Sequence, residues 1–498
     1  MHIKNSYIQI NDNNDYPFKL LDNEEERFGI LNIELDKVEI AKSPIFILFT
    51  VDTTGSMTDY SSNNKTKMEY AIQTLKSIMK YLSLYDINVT IQINTFNIET
   101  EILIEPIIIT KDNVKDIIEK IDAIDADFVT NIEKALETAN NCIHEYKLQN
   151  SDSECVHIFM TDGEPTAGSL NTNELVNCVS DDYISINIGF GDDHNATLLS
   201  QLSNLKNGEY HFIDKIEKSS IVYGESLHKV LYPCLKNINI SIENGLIYDW
   251  KTNEWKTEIY ENVLISEMTK CYHVKTDDIL NISANLIADV ENVQEDMVNH
   301  KKLEEKIYKL PDLINNQNEI IVDNTITKFA FRQRVLEILY DAHRIKGNGE
   351  IIKIQKKLKD LFAILVKYMC DNEILEDNIL NQLKNDLYIT YWNIGTKNAM
   401  YINGRYMAQG NQSAYTPSNH ILNISDNINI DDEIPRPILR RSRNILQANI
   451  FEIINDDLNI QYDSNDDEQS LGTTDNEYSC YSTPGTRNTV NTIRLYDD

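Results

Sequence analysis

The sequence predicts an α/β protein: an open, doubly wound, mainly parallel sheet flanked by a β-rich segment, a helical C-terminal domain and an acidic tail. Three observations predict it. Continuous apolar runs at residues 45–51 and 155–160 suit strands buried on both faces. Stretches with apolar residues at three-and-four spacing alternate with such runs and suit covering helices. Beyond Pro233 this alternation stops, and the chain reads first as short strands and then as helices.

Taken in order, residues 1–43 form a β preface, with alternating segments Ile30-Leu31-Asn32-Ile33-Glu34-Leu35 and Val38-Glu39-Ile40. Residues 44–235 carry the α/β pattern. Strand 45–51 is followed by a helix whose stripe is Met68, Ala71, Ile72, Leu75, Ile78, Met79 and Leu82, and then by a strand in which Ile87, Val89, Ile91 and Ile93 alternate with polar residues. A second helix has Ile132, Ala135, Leu136, Ala139, Cys142, Ile143 and Tyr146 on one side. Strands at 155–160, 184–190 and 210–213 and helices at 198–205 and 221–231 complete the unit, and right-handed crossovers should join its strands into one twisted sheet.

Residues 236–292 read as β-rich and able to pair with the preface. From residue 293 to 413 the pattern predicts helices, one holding Phe329, Phe331, Val335 and Leu339, another Leu358, Leu361, Phe362 and Leu365, separated by Gly347-Asn348-Gly349. Residues 414–498 are rich in Asp, Asn, Ser and Thr, with a weak apolar patch at 445–454. They should be disordered, because so little apolar surface cannot offset the entropy of ordering.

The chain has 498 residues, more than one ordinary domain of roughly 100–200. Its 46 Lys and Arg against 79 Asp and Glu give a formal charge of -33, which repels phosphate backbones and disfavours nucleic acid as a partner. Apolar runs fall far short of the roughly 20 residues needed to span a bilayer. Seven cysteines without a C-x-x-C pair, and an N-terminus without an apolar leader segment, predict a cytoplasmic protein with reduced thiols.

The chemistry gathers where the first core strand ends, in Val51-Asp52-Thr53-Thr54-Gly55-Ser56-Met57. In an open α/β sheet, ligands bind at the carboxyl ends of strands, where loops converge. Asp52, Thr54 and Ser56 should emerge there. Thr130, ahead of the second helix, and Asp162, in Thr161-Asp162-Gly163 after the next core strand, should reach the same rim. Two carboxylates and three hydroxyls are hard oxygen donors, suited to Mg²⁺ or Mn²⁺ in preference to Zn²⁺ or Cu²⁺. Neutral hydroxyls leave such an ion electrophilic, so an acidic side chain from a partner could complete its shell.

Asp52-x-Thr54-x-Ser56, a separate Thr130 and Asp162-Gly163 together resemble the metal-ion-dependent adhesion site of von Willebrand factor type A domains, over roughly residues 44–235. The resemblance implies that Ser56 and Thr54 bind the ion directly, that Thr130, Asp52 and Asp162 bind it directly or through water, and that a partner carboxylate fills the vacancy. Thr54 stands where the family usually has Ser. Gly189-Phe190-Gly191 and Gly208-Glu209-Tyr210-His211-Phe212 also look like this family. More weakly, the later β segment and the helices closing with Tyr401-Ile402-Asn403-Gly404-Arg405-Tyr406 resemble the Vwaint region that accompanies A domains in intracellular proteins.

Each part of the motif also has a plain explanation. Asp-x-Thr-x-Ser is a common turn, Asp162-Gly163 could be another, and Thr130-x-x-Glu133 reads as a capping box. Their order along one α/β pattern favours the metal site. Glu164, Asp192, Asp193 and His194 read as loop residues near the same rim, and Arg436, Arg440, Arg441 and Arg443 as a basic island in a solvated tail. The histidines show no H-E-x-x-H pattern, and Gly347-x-Gly349 is not a phosphate-binding loop. Function then divides three ways. The favoured reading is a non-enzymatic module that binds a protein partner's Asp or Glu through the ion. A metal-dependent hydrolase or phosphotransferase would need a base and a leaving-group stabiliser that the sequence does not offer. A scaffold with a vestigial site, such as a ubiquitin-ligase adaptor, is the third.

Overall fold

The computed structural model describes residues 3–11, 13–39, 43–60, 65–84, 89–127, 129–191, 194–214, 218–291, 303–310, 324–345, 347–396, 398–417 and 478–496. Two antiparallel strands, β1 (Ile3–Ile10) and β2 (Arg27–Leu35), lead into the alternating region. There the order is β3 (Ile45–Asp52), α1 (Lys67–Leu82), β4 (Val89–Phe96), β5 (Thr100–Ile108), α2 (Val114–Ile121), α3 (Ile132–Gln149), β6 (Glu154–Thr161), α4 (Thr172–Val176), β7 (Ile184–Phe190), α5 (Ala196–Ser203), β8 (Gly208–Ile213) and α6 (Ser219–Leu231).

Six of these strands form one sheet in the order β5-β4-β3-β6-β7-β8, parallel except for the edge strand β5, which runs antiparallel to β4. β3 lies parallel between β4 and β6, and all eight of its residues are buried. Its side chains alternate between two cores. Ile45, Ile47, Phe49 and Val51 join the cluster under α1, α2 and α6, while Phe46 and Leu48 join the one under α3, α4 and α5. A strand covered on both faces has no polar side, which is why the sequence shows an unbroken apolar run. The edge strand β5 and the short α2 were not among the predicted elements.

The remaining strands are β9 (Pro233–Glu243), β10 (Leu246–Asp249), β11 (Glu254–Lys256), β12 (Glu258–Ile265), β13 (Thr269–Thr276), β14 (Ser283–Glu291) and β15 (Leu303–Leu310). They make two sheets, β1-β2-β13-β10-β11 and β12-β9-β14-β15, whose strand pairs are antiparallel. β2 pairs with β13 from Thr269↔Glu34 to Thr276↔Arg27, so both preface strands, β1 and β2, belong to a sheet of the later β segment. β15 corrects the expectation of helix at residues 303–310. Leu303–Leu310 is a strand in register with β14, and among the described residues the next helices are α7 (Asn324–His343), α8 (Asn348–Asp371), α9 (Asn378–Asn393) and α10 (Met400–Asn411). α10 lies against the sheet edge. Tyr401 meets Phe212 edge-on at 5.0 Å, and the Asn403 side-chain amide donates to the Ala196 carbonyl at 3.2 Å.

The expectation of a disordered tail over residues 414–498 is corrected at residues 478–496. Thr483 caps α11 (Pro484–Arg494), with its hydroxyl accepting from the Thr486 N–H at 3.0 Å and Pro484 in the first turn. Val490 and Ile493 are wholly buried in the cluster that also holds α1 and α6. The Arg494 Nε donates to Ser220 Oγ at 2.8 Å, and Thr489 Oγ1 bonds His228 Nδ1 at 3.0 Å. Few apolar residues suffice here because the docking surface is already formed. The apolar patch at 445–454, the basic island and the pair Asp192 and Asp193 lie outside the described residues.

Candidate functional site

Asp52 is the last residue of β3 and Asp162 follows the last residue of β6, so parallel pairing brings both carboxylates to one end of the sheet. Neither is exposed at all. The loop after β3 turns through a 3₁₀ segment, Gly55–Thr58, that brings Ser56 back over the strand ends. Backbone bonds then gather the neighbouring loops. Thr53 N–H donates to the Phe96 carbonyl at 2.9 Å, Asp127 N–H to the Thr53 carbonyl at 2.9 Å, and Asn131 N–H to the Asn97 carbonyl at 2.9 Å.

The five predicted residues come together. Ser56 Oγ donates to Asp162 Oδ1 at 2.7 Å and lies 3.1 Å from Thr54 Oγ1. Asp52 Oδ1 accepts from the Thr54 N–H at 3.0 Å. Thr130 reaches the group beside Gly163: a Cβ at that glycine would stand 3.4 Å from Thr130 Oγ1 and 3.8 Å from Ser56 Oγ. The glycine therefore keeps open a small space lined by both hydroxyls. Thr130 is not the helix cap. Asn131 caps α3 by accepting from the Lys134 N–H at 3.2 Å, and Glu133 accepts instead from the Ser169 N–H. The Thr130 carbonyl accepts from the Thr166 and Ala167 N–H groups, and with Asn131 as the cap its hydroxyl has no capping role.

Burial, reinforced by the charge of Asp162, pushes the Asp52 carboxyl up to about 6, although bonds from Thr161 and Thr54 oppose the shift. Two residues escaped the sequence reading. Thr161 donates from Oγ1 to Asp52 Oδ2 at 2.6 Å, and Lys67 donates from Nζ to Asp162 Oδ2 at 2.7 Å. Thr161 was legible as the hydroxyl that ends the strand just before Asp162. Lys67 had no signal, being an ordinary lysine at a helix start. The neighbouring loop residues have other work: His194 bonds the Tyr210 hydroxyl and the Gly191 carbonyl, and Glu164 accepts from Asn195.

The donor set fits a hard cation. Asp52, Asp162 and Lys67 carry one negative charge more than positive, in a place where water screens little. Among the described residues no group of three or more His, Cys, Asp or Glu could hold a metal, so any metal role here depends on the hydroxyls.

A six-stranded, mainly parallel sheet with oxygen-bearing loops at its carboxyl end defines the class. Residues 47–164 match the sequence model of the von Willebrand factor type A domain, and the chain carries such a domain. Over 219 residues it is 27% identical to inter-alpha-trypsin inhibitor heavy chain H2 of Mus musculus, and 26% identical to that of Mesocricetus auratus. The match takes in 43% of this chain but only 22% of each relative's length. Among solved structures, a von Willebrand factor type A protein from Catenulispora acidiphila covers 77% of this chain and 90% of its own, with a TM-score of 0.51 and 11% identity, a likeness of fold alone. Among the described residues, no helix is long and apolar enough to cross a membrane.

Proposed function

We propose that the chain is a protein-interaction module in which Asp52, Thr54, Ser56, Thr130 and Asp162 hold Mg²⁺ or Mn²⁺ and a protein partner presents an Asp or Glu to it. The observation that supports this most is the meeting of three loops, distant in sequence, at one cluster of two buried carboxylates and three hydroxyls. When bound, the ion would supply an electrophilic position for the partner's carboxylate. The chain's own residues do the rest. Asp52 and Asp162 set a negative site, Thr54, Ser56 and Thr130 bring oxygens without further charge, and Thr161 fixes the Asp52 carboxylate in orientation. This is binding chemistry, with no bond made or broken. The test is capture by the immobilised full chain in Mg²⁺. The partner should be retained, released by EDTA, and not retained by Asp52→Ala. Retention that ignores both EDTA and the substitution would refute the proposal.

A further inference from the structure

We propose that Lys67 is a tethered cation that competes for Asp162 and so sets how much divalent ion the site requires. The inference rests on the metal-site reading given above. Lys67 Nζ is 2.7 Å from Asp162 Oδ2, while Ser56 Oγ holds Oδ1 of the same carboxylate at 2.7 Å. The pair is sheltered, with the lysine side chain 14% exposed and Asp162 not exposed. An ammonium at that oxygen and a divalent ion served by the same carboxylate repel one another, and burial strengthens the repulsion.

The start of α1 does not need this lysine. Thr66 and Glu69 form a complete capping box there, and the Lys67 N–H is bonded to the Asp59 carbonyl. A positive side chain in the first turn opposes the helix dipole, so helix formation itself disfavours it. Its stem instead extends toward the turn after β7, where a Cβ on Gly191 would lie 3.5 Å from Lys67 Cε and 3.6 Å from Nζ. Gly191 has φ +63°, a conformation that favours glycine. Lys67 thus links the α1 start to the loops after β6 and β7, at the proposed cation site.

Lys67→Met keeps the apolar stem and removes the charge; Lys67→Arg keeps the charge. Mn²⁺ binding to the full-length protein is measured by calorimetry, together with the thermal shift that saturating Mn²⁺ produces. Lys67→Met should bind Mn²⁺ about tenfold or more tightly than the wild type, the direction set by losing a competing charge from a sheltered site. It should also show a larger Mn²⁺-induced rise in Tm, with Lys67→Arg staying close to wild type in both. A purely structural lysine would lower Tm equally with and without Mn²⁺ and leave affinity unchanged, which would overturn the proposal. Weaker binding by Lys67→Met would overturn it too. If neither wild type nor Lys67→Met bound Mn²⁺ at millimolar concentration, the metal-site reading itself would fail and take the proposal with it.

Discussion

Gly224→Ala should change sign according to whether α11 is present. Gly224 lies within α6, and a Cβ there would meet Val490 Cγ2 at 2.4 Å, Val490 Cα at 3.1 Å and Val490 N at 3.2 Å. The side chain could turn away from the first contact, but the other two are backbone, so α11 must shift. Overpacking of this kind costs roughly 1–3 kcal/mol. In a chain ending at residue 477 the contact is gone, and replacing glycine by alanine inside a helix should instead gain about 0.5–1 kcal/mol. The helix gain is common to both backgrounds and cancels, so a double-mutant cycle of the substitution and the truncation isolates the overpacking term, a coupling of roughly 2 kcal/mol. Urea unfolding of the four proteins measures it. If Gly224→Ala had the same effect with and without α11, the close docking of the two helices would be refuted.

Three further outcomes follow from the same structure. Asp52→Asn should raise stability at pH 7 by about 1–3 kcal/mol while weakening Mn²⁺ binding. Its buried carboxyl, raised from the ordinary carboxylate range to about 6, stabilises the fold at low pH, and that contribution is lost as pH rises from about 4 to 6. Paired melting curves with and without Mn²⁺ check this, and a variant that melted lower than wild type without metal would contradict it. His157, His228 and His273 are buried, and burial pushes the first two down to about 3 and about 4 and the third well below the ordinary value. They stay neutral when folded and take up protons near 6.5 when unfolded, so stability falls with acid from there. Between pH 7 and 5.5 each should cost roughly 1.2 kcal/mol, His343, which burial also lowers to about 4, should add a similar amount, and Asp52 should offset about 1; denaturant titrations showing no loss over that interval would refute it. Thr130→Val should weaken Mn²⁺ binding yet leave the α3 N-terminus intact, because Asn131 is the cap; hydrogen exchange at the start of α3 distinguishes the two roles.

What the sequence revealed followed burial. β3 and β6 announced themselves because strands enclosed on both faces can hold few polar residues. β5 was hidden because it is an edge: Glu101, Ile102, Glu105, Ile107 and Ile108 are all exposed, and Pro106 sits among them, so no clean alternation survives. In β15 the sequence Leu-Glu-Glu-Lys-Ile-Tyr-Lys-Leu supports helix and strand alike, and only pairing with β14 decides. α11 did carry a local signal, Thr483-Pro484 followed by Thr486, Thr489, Val490 and Ile493 on one face, but composition argued against it. Its order comes from α1 and α6, which no local reading includes.

The grouping was legible in part. Asp52 and Asp162 could be set on one rim because strand ends carry them, with Thr54 and Ser56 in the loop that follows and Thr130 ahead of α3, whereas Lys67 arrives from a helix start through a long side chain whose reach no pattern encodes. For Thr130 two local readings competed, and the fold decided by giving the cap to Asn131.

The most direct measurement is a calorimetric titration of the full chain with Mn²⁺, run on wild type, Ser56→Ala and Asp52→Ala. The account predicts one ion per wild-type chain, weakened by the first substitution and abolished by the second, with both variants folded. Equal binding in all three proteins, or none in any, would contradict it.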